Sequence, residues 1–301
     1  MDAILVFGRY GQVGSELMAQ ARSFGFEAVN IGSKDADITS LPSIEGLVRA
    51  YRPRFIFNAA AYTAVDKAES DADTAFSVNA TAPGLMAKAA EDASIPFFHI
   101  STDYVFDGRK AGPYVESDSI APLGVYGRSK AEGDLAVAAA TARHIILRTS
   151  WVFGSHGANF VRTMIRLASE RPELRVVDDQ LGRPTGASDI AGSLLRMAQI
   201  AGVARKGEGS GFPWGIYHFA NAGEVTWCGF ARAIMGELER RGRPAARVVA
   251  IRSEDYPTAA VRPRNSVLDC SKIEKNFGIS PEPWHTPLRR VMDDLLSDPA
   301  D

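Results

Sequence analysis

The sequence predicts an α/β fold, a doubly wound parallel sheet carrying a smaller, discontinuous C-terminal substrate domain. Three observations lead there. Short, nearly continuous apolar runs alternate with amphipathic stretches through the first half of the chain, the pattern of parallel strands buried on both faces and joined by helical crossovers. A glycine-rich turn follows the first run directly. The 301 residues are 46% hydrophobic and 23% charged, enough apolar material for a sizeable core and against long disorder.

The elements read as follows. Ala3–Phe7 is a buried strand, and Glu16–Ala21 belongs to the helix after the glycines. A second strand ends at Val29-Asn30-Ile31, and Phe55–Ala61 is a further strong strand. From Thr74 to Asp92, Val78, Ala82, Leu85, Met86 and Ala89 recur at the helical period, which predicts a helix. Pro96–Ile100 and His144–Arg148 complete the run of strands. The second half is more mixed: a glycine-rich surface loop over 202–211, an amphipathic helix from Thr226 to Arg241, and a last helix from Thr286 to Leu296 after Pro281 and Pro283. The expected division is one domain of 1–151 and 186–222 and a smaller, discontinuous one of 152–185 and 223–301.

Charge and composition exclude several functions. Lys and Arg number 34 against 36 Asp and Glu, a net charge of -2, which argues against a broad nucleic-acid footprint. The N-terminus has neither a basic segment nor a long apolar run, so neither a secretory leader nor a membrane span is expected. Cys228 and Cys270 are far apart and form no CxxC pair. A disulfide framework and a structural zinc site are therefore not expected, and a cytoplasmic location fits. No HExxH occurs, and His99, His144, His156, His218 and His285 have no ligand spacing.

Gly8-Arg9-Tyr10-Gly11-Gln12-Val13-Gly14 sits between the first strand and the first helix. Its G-x-x-G-x-x-G spacing permits a tight turn and lets backbone N–H groups reach a pyrophosphate at a helix N-terminus, as in a Rossmann-type sheet. The bland alternative is a glycine turn joining any strand to any helix. The second strand ends without a carboxylate, and Lys34 is close by. A cation there suits a 2′-phosphate, so NADPH is favoured with NADH as the alternative. Lys34 as a solvated loop charge, with Asp35 or Asp37 on the ribose hydroxyls, remains the competing reading.

Tyr126 and Lys130 are four residues apart in Tyr126-Gly127-Arg128-Ser129-Lys130, one face of a helix. A phenol titrates near about 10, and a neighbouring ammonium lowers that value. Ser101-Thr102-Asp103 follows the fourth strand, where such sheets bind ligands. Thr102 is placed to bond both a substrate oxygen and the Tyr126 hydroxyl.

These features together resemble the short-chain dehydrogenase/reductase superfamily in its extended, sugar-nucleotide branch. Longer words are similar to signatures of the dTDP-4-dehydrorhamnose reductase family. They are Asn58–Glu69 with its Val65-Asp66-Lys67-Ala68-Glu69 block, Ser101–Phe106, Arg148–Gly154, Asp178-Asp179-Gln180 with Pro184-Thr185, Tyr217-His218, Thr226-Trp227 and Arg262-Pro263. The resemblance spans nearly the whole chain, and it implies that 1–151 and 186–222 are the dinucleotide-binding domain and 152–185 and 223–301 the sugar-nucleotide-binding domain. It implies reduction of the C4 ketone of dTDP-4-dehydro-β-L-rhamnose, with Tyr126 as general acid, Lys130 on the nicotinamide ribose and Thr102 polarising the carbonyl. Gly8, Gly11, Gln12, Val13 and Gly14 would then line the pyrophosphate, and Asp37 and Ile38 would flank the adenosine. Ala61, Tyr62 and Thr63 would lie along the cofactor, with Ile100 beneath it. Val65, Thr102, Asp103, Tyr126 and Trp151 would meet the sugar nucleotide, with the loop around Gln180 closing over it. Asn79 reads as a brace for the strand ends.

Arg9-Tyr10 is a bulky, cationic version of the variable pair in the family's glycine loop, and Arg9 is a further candidate phosphate contact. Some relatives bind magnesium through clustered acids near the C-terminal helix, at a dimer contact. Here only Asp293-Asp294 are candidates. They read as a solvated helix face, so no tight metal site is expected, Mg2+ dependence stays open, and the chain is expected as monomer or homodimer. Two other functions fit the same scaffold. A sugar-nucleotide epimerase or dehydratase would return its hydride and consume no NADPH. A nucleotide-binding regulatory subunit, like that of methionine adenosyltransferase, would serve a partner enzyme.

Overall fold

The computed structural model describes residues 1–204 and 211–297. Six strands form the main sheet: β1 (Asp2–Phe7), β2 (Phe26–Ile31), β3 (Phe55–Asn58), β4 (Phe97–Thr102), β5 (His144–Thr149) and, late in the chain, β10 (Gly215–His218). All pairings are parallel, in the order β10-β5-β4-β3-β1-β2. The shorter strands between and after them are β6 (Val152–Phe153), β7 (Glu173–Val177), β8 (Leu181–Gly182), β9 (Thr185–Gly186), β11 (Val225–Thr226) and β12 (Arg247–Ile251). The helices are α1 (Gln12–Gln20), α2 (Leu41–Tyr51), α3 (Val65–Ala68), α4 (Ala72–Phe76), α5 (Ala82–Asp92) and α6 (Val125–Ala140). They continue with α7 (Phe160–Glu170), α8 (Ala187–Ala204), α9 (Trp227–Arg240), α10 (Ser271–Phe277) and α11 (His285–Leu296). None among the described residues is long and apolar enough to cross a membrane.

The apolar run of β1 is continuous because the sheet is buried twice. Ile4 and Val6 join Leu17, Phe57 and Leu194 in the core under α1 and α8. Leu5 and Phe7 join Ile44, Met86 and Phe97 under α2 and α5. A third core, with Phe153, Met164, Phe230, Ile234, Trp284 and Met292, binds α7, α9 and α11 together beside the parallel β7–β12 pair. The chain runs outward from β1 to β2 and then back to β3, so a crevice opens at the carboxyl ends of β1 and β3, where such sheets take ligands.

Several elements differ from expectation, each for a local reason. Strand β3 stops at Asn58 rather than Ala61, because the Asn58 carboxamide oxygen accepts the Ala60 N–H at 3.0 Å and turns the chain. The helix over 74–92 is interrupted by a π-turn at Ser77–Thr81. Pro83, just after it, has no N–H for the Asn79 carbonyl, so the helical register cannot run through. Helix α1 starts earlier than Glu16 and passes into a 3-10 turn closed by Gly25 at φ +83. Residues 202–204, expected in a surface loop, end α8; residues 205–210 of that loop lie outside the described residues, and Gly211 is in neither helix nor strand.

Helix α6 lies unusually close to its neighbours, and two glycines make that approach fit. A Cβ on Gly133 would stand 2.0 Å from the Asn79 carbonyl oxygen, and one on Gly127 would stand 2.3 Å from that of Tyr104. Gly46, inside α2, has nothing within 4 Å of its would-be Cβ. Gly133→Ala should therefore destabilise the fold by about 1–3 kcal/mol through overpacking. Gly46→Ala should stabilise it by about 0.5 kcal/mol through the unfolded chain. Urea unfolding of the two variants beside the parent measures both.

Candidate active site

The crevice is a cleft of about 510 Å³ lined by the loops that follow β1 and β3 and by the carboxyl ends of β4 and β5. A larger depression of about 790 Å³ lies around Arg52, Arg54 and Ser94, but it holds none of the groups that sequence chemistry singled out. Of the expected residues, the cleft brings together Gly11, Gln12, Val13, Ala61, Thr63, Val65, Ile100, Thr102, Asp103, Tyr126, Lys130 and Trp151.

The glycine turn is built for close approach. Gly8 has φ +111, and a Cβ there would meet the Ala59 carbonyl carbon at 2.6 Å. A Cβ on Gly14 would sit 2.1 Å from the Gly8 oxygen. These two glycines therefore stand behind the cleft wall, pressing the turn onto β3 and α1. Gly11 opens α1, and no side chain caps the N–H groups of its first turn. Those donors, at the positive end of the helix dipole, form a cradle that suits a pyrophosphate. The Gln12 carboxamide ties the turn to the far wall: it donates to the Val152 carbonyl at 3.4 Å and accepts from Asn159 at 3.0 Å.

Beyond β2 the charges are largely committed to one another. Asp35 accepts from the Gly32 N–H at 2.8 Å and from Arg9 at 3.4 Å, which holds its carboxyl below the usual range, the Gly32 bond first. Arg9 is therefore an ion-pair partner in the structure. Asp37 accepts from the Thr39 hydroxyl and N–H, which lower its pKa. Asp37 and Ile38 do not line the cleft, and Lys34 is exposed. Tyr62 also points elsewhere: its hydroxyl donates to Asp71 at 3.0 Å. Its backbone N–H and carbonyl are both held by the Asn79 carboxamide, which also bonds Ser129. Asn79 thus ties the loop after β3 to α6.

The opposite wall comes from β4 and α6. The Thr102 hydroxyl donates to Asp103 at 2.8 Å and accepts the Tyr104 N–H at 3.1 Å. Asp103 is buried, and burial pushes its carboxyl up to about 7 against the hydrogen bonds of Thr102 and Ser266. Glu69 of the Val-Asp-Lys-Ala-Glu block accepts the Val125 N–H at 2.7 Å and so caps α6. Asp66 of the same block pairs with Arg262 at 2.7 Å. That block fixes where α6 begins, and with it Tyr126. The edge of the Tyr104 ring packs on Tyr126, the centroids 5.6 Å apart.

Lys130 is 1% exposed. Its ammonium donates to the Ile100 carbonyl at 2.7 Å, and burial lowers it to about 8 against the pull of Asp134. The expectation that Lys130 acidifies Tyr126 is corrected here. Burial raises the Tyr126 phenol well above its usual value, and the group that opposes the rise is Thr102, not Lys130. Tyr126 is accordingly a protonated phenol at neutral pH.

Trp151 adopts φ +45 and stacks face to face on Trp227, centroids 3.6 Å apart. Gly182 leaves room behind it, since a Cβ there would lie 2.4 Å from the indole. Trp227 was not among the expected site residues; its signal was the Thr226-Trp227 word, where Thr226 caps α9 by accepting the Gly229 N–H at 3.0 Å. Tyr10, Tyr104 and Thr149 also line the cleft without having been singled out for it. Gln180 is buried, donates to Ser253 and does not line the cleft. Among the described residues no group of three or more His, Cys, Asp and Glu is placed to hold a metal. Asp293 pairs with Arg241, and Asp294 accepts from Ser155.

A glycine turn on a helix N-terminus, faced by Thr102, Tyr126 and Lys130 across the ends of a parallel sheet, defines a nucleotide-binding α/β protein of the extended short-chain dehydrogenase/reductase type. The chain belongs to the RmlD substrate binding domain family, which it matches over residues 1–297. It is 41% identical over 298 residues to the dTDP-4-dehydrorhamnose reductase of Sinorhizobium fredii, covering 99% of each chain. It is 39% identical to that of Escherichia coli K12, again over 99% of both. Among solved structures it superposes on the dTDP-4-dehydrorhamnose reductase of Clostridium acetobutylicum with TM-score 0.89 and 34% identity, covering 98% of this chain and 100% of that one. The Bacillus anthracis enzyme in complex with NADP gives 0.88 and 32%, covering 96% and 98%.

The raised Asp103 carboxyl has a consequence for stability. Its folded pKa lies above the unfolded one, so its contribution is complete below about pH 4 and is lost as pH rises through about 7. Asp103→Asn should remove that slope. Relative to the parent, the variant should gain stability between pH 4 and 8, by roughly 4 kcal/mol as an upper bound. Chemical unfolding of both proteins across that range measures the difference.

Proposed function

We propose that this chain reduces the C4 ketone of dTDP-4-dehydro-β-L-rhamnose to the alcohol of dTDP-L-rhamnose, using NADPH. The observation that carries the reading is a protonated phenol, Tyr126, on the same cleft as the helix-N-terminal glycine cradle. The near-full-length relatives named for that reaction supply the sugar nucleotide.

The cradle of Gly11, Gln12 and Val13 fits the pyrophosphate of a dinucleotide, with Ala61, Thr63 and Ile100 along its length. Bound there, reduced nicotinamide supplies the hydride. NADPH is the preferred form on the strength of the NADP-bound relative and the exposed Lys34. The chain's own residues do the rest. Tyr126 is the general acid, giving its proton to the C4 oxygen as charge develops there. Thr102 holds that oxygen beside the phenol. When Asp103 is protonated it donates to Thr102, which frees the threonine hydroxyl proton for the carbonyl. Lys130 has donors beyond the one spent on Ile100, and these hold the nicotinamide ribose. The Trp151–Trp227 pair forms an apolar wall for the sugar nucleotide, and Val152, Gly157 and Ala158 line the cleft beside it from the segment expected to bind the sugar nucleotide. Fixing two reactants in one cleft removes a large entropic part of the barrier. Cys228 and Cys270 are free, buried thiols, which suits a reducing cytoplasm.

Tyr126→Phe should lower kcat by about 10²- to 10⁴-fold with dTDP-4-dehydro-L-rhamnose and NADPH. Its dissociation constant for NADPH, read by fluorescence titration, should remain within a few-fold of the parent's. Parent-like turnover in the variant would remove Tyr126 from the chemistry.

A further inference from the structure

Directly beneath the cleft lies a buried chain of polar groups that the reaction as described does not use. His99 on β4 is 0% exposed, Asp134 on α6 is 2% and Arg148 on β5 is 3%. The Lys130 Nζ is 3.4 Å from His99 Nε2, and Asp134 Oδ1 is 3.9 Å from the same nitrogen. Arg148 Nε donates to Asp134 Oδ2 at 3.1 Å, while Oδ1 has no hydrogen-bond partner.

The position of the His99 proton follows from its other side. Asn58 Oδ1 accepts the backbone N–H of Ala60 at 3.0 Å, a group that can only donate. The Asn58 amide orientation is thereby set, and its Nδ2 donates to His99 Nδ1 at 3.1 Å. Nδ1 must carry a lone pair, so in neutral His99 the proton is on Nε2. Burial, with Lys130 and His144 adding to it, keeps His99 neutral. An N–H therefore faces Lys130. Opposite an ammonium that is donor against donor; opposite an amine it is a hydrogen bond.

We propose that His99 is a positioning residue for Lys130: locked by Asn58 with its proton on Nε2, it donates that proton to Lys130 when the lysine is an amine and to the free oxygen of Asp134 when it is an ammonium. Two alternative acceptors for one ring N–H, Lys130 Nζ and Asp134 Oδ1, let a fully buried lysine exist in both charge states without being displaced from Ile100. A movement of under about 1 Å brings Asp134 Oδ1 into hydrogen-bonding range of Nε2. The charged and titratable groups around Lys130 are consistent with a lysine that titrates. His99 faces it from β4, with His144 and Arg148 behind from β5; Asp134 and Tyr126 flank it on its own helix; Asp103 stands in the turn after β4.

The test needs no turnover. Long-range proton–nitrogen correlation spectra of the 15N-histidine protein report the tautomer of each ring, and His99→Gln identifies the His99 signals by their loss. The expected result is His99 protonated at Nε2 across about pH 6 to 9; a proton on Nδ1 overturns the proposal. In 13C-lysine protein, Lys130 should titrate near pH 8. Asn58→Leu unlocks the ring, allows a bare Nε2 to face the ammonium, and should move that titration up by about one unit, a tenfold loss of amine at fixed pH. An unshifted titration in folded Asn58→Leu also overturns it. Loss of ketone reduction with both spectral results intact would count against the assigned reaction and leave the His99 assignment standing.

Discussion

The close seating of α6 on the sheet is the constraint on which the site depends. Tyr126 and Lys130 are one helical turn apart, and neither can face the cleft unless the helix is held both along its length and about its axis. Gly127 and Gly133 set the distance, since any side chain there would enter the backbone of the turn after β4 or of the π-turn. Glu69 sets the start by capping Val125. Asn79 joins the π-turn, Ser129 and the loop after β3. Lys130 completes the docking by donating to Ile100 of β4. Tyr126 and the lysine that secures the helix are thus parts of one packing arrangement.

The electrostatics follow from that burial. Burial, with Asp103 and Asp134 adding to it, makes the Tyr126 phenol resist ionisation, and burial lowers the Lys130 ammonium to about 8 against the opposing charge of Asp134. In the proposed reduction, proton donation by Tyr126 would not require it to be acidic in the resting site, only an oxygen that becomes basic as the ketone is reduced. Burial moves Asp103, Tyr126 and Lys130 each toward its neutral form.

Much of this was legible in the sequence. The unbroken apolar run of β1 announced a sheet covered on both faces, and the glycine spacing after it marked the cradle. The four-residue interval in Tyr126–Lys130 placed both side chains on one helix face. Other features were not legible because they depend on contacts across long separations. Asn58 ends β3 through its own side chain, which an apolar run does not reveal. The π-turn comes from Pro83 acting on Asn79, inside a stretch whose periodicity looks regular. Trp227 reaches the cleft only because α9 packs beside the β5–β6 segment, 76 residues from its stacking partner Trp151 in the chain. The direction of the Tyr126 shift is not legible in the Tyr126–Lys130 interval, since burial sets it and the lysine's hydrogen bond goes to Ile100.

The most direct test of the central claim follows both atoms and stoichiometry. The purified chain alone would be given dTDP-4-dehydro-L-rhamnose and NADPH deuterated at the transferring position of the nicotinamide. If α6 presents Tyr126 to a ketone opposite the cofactor, one NADPH is consumed per sugar and the deuterium is found on C4 of dTDP-L-rhamnose. Conversion of the sugar without net loss of NADPH, or recovery of the ketone unchanged, would contradict the account.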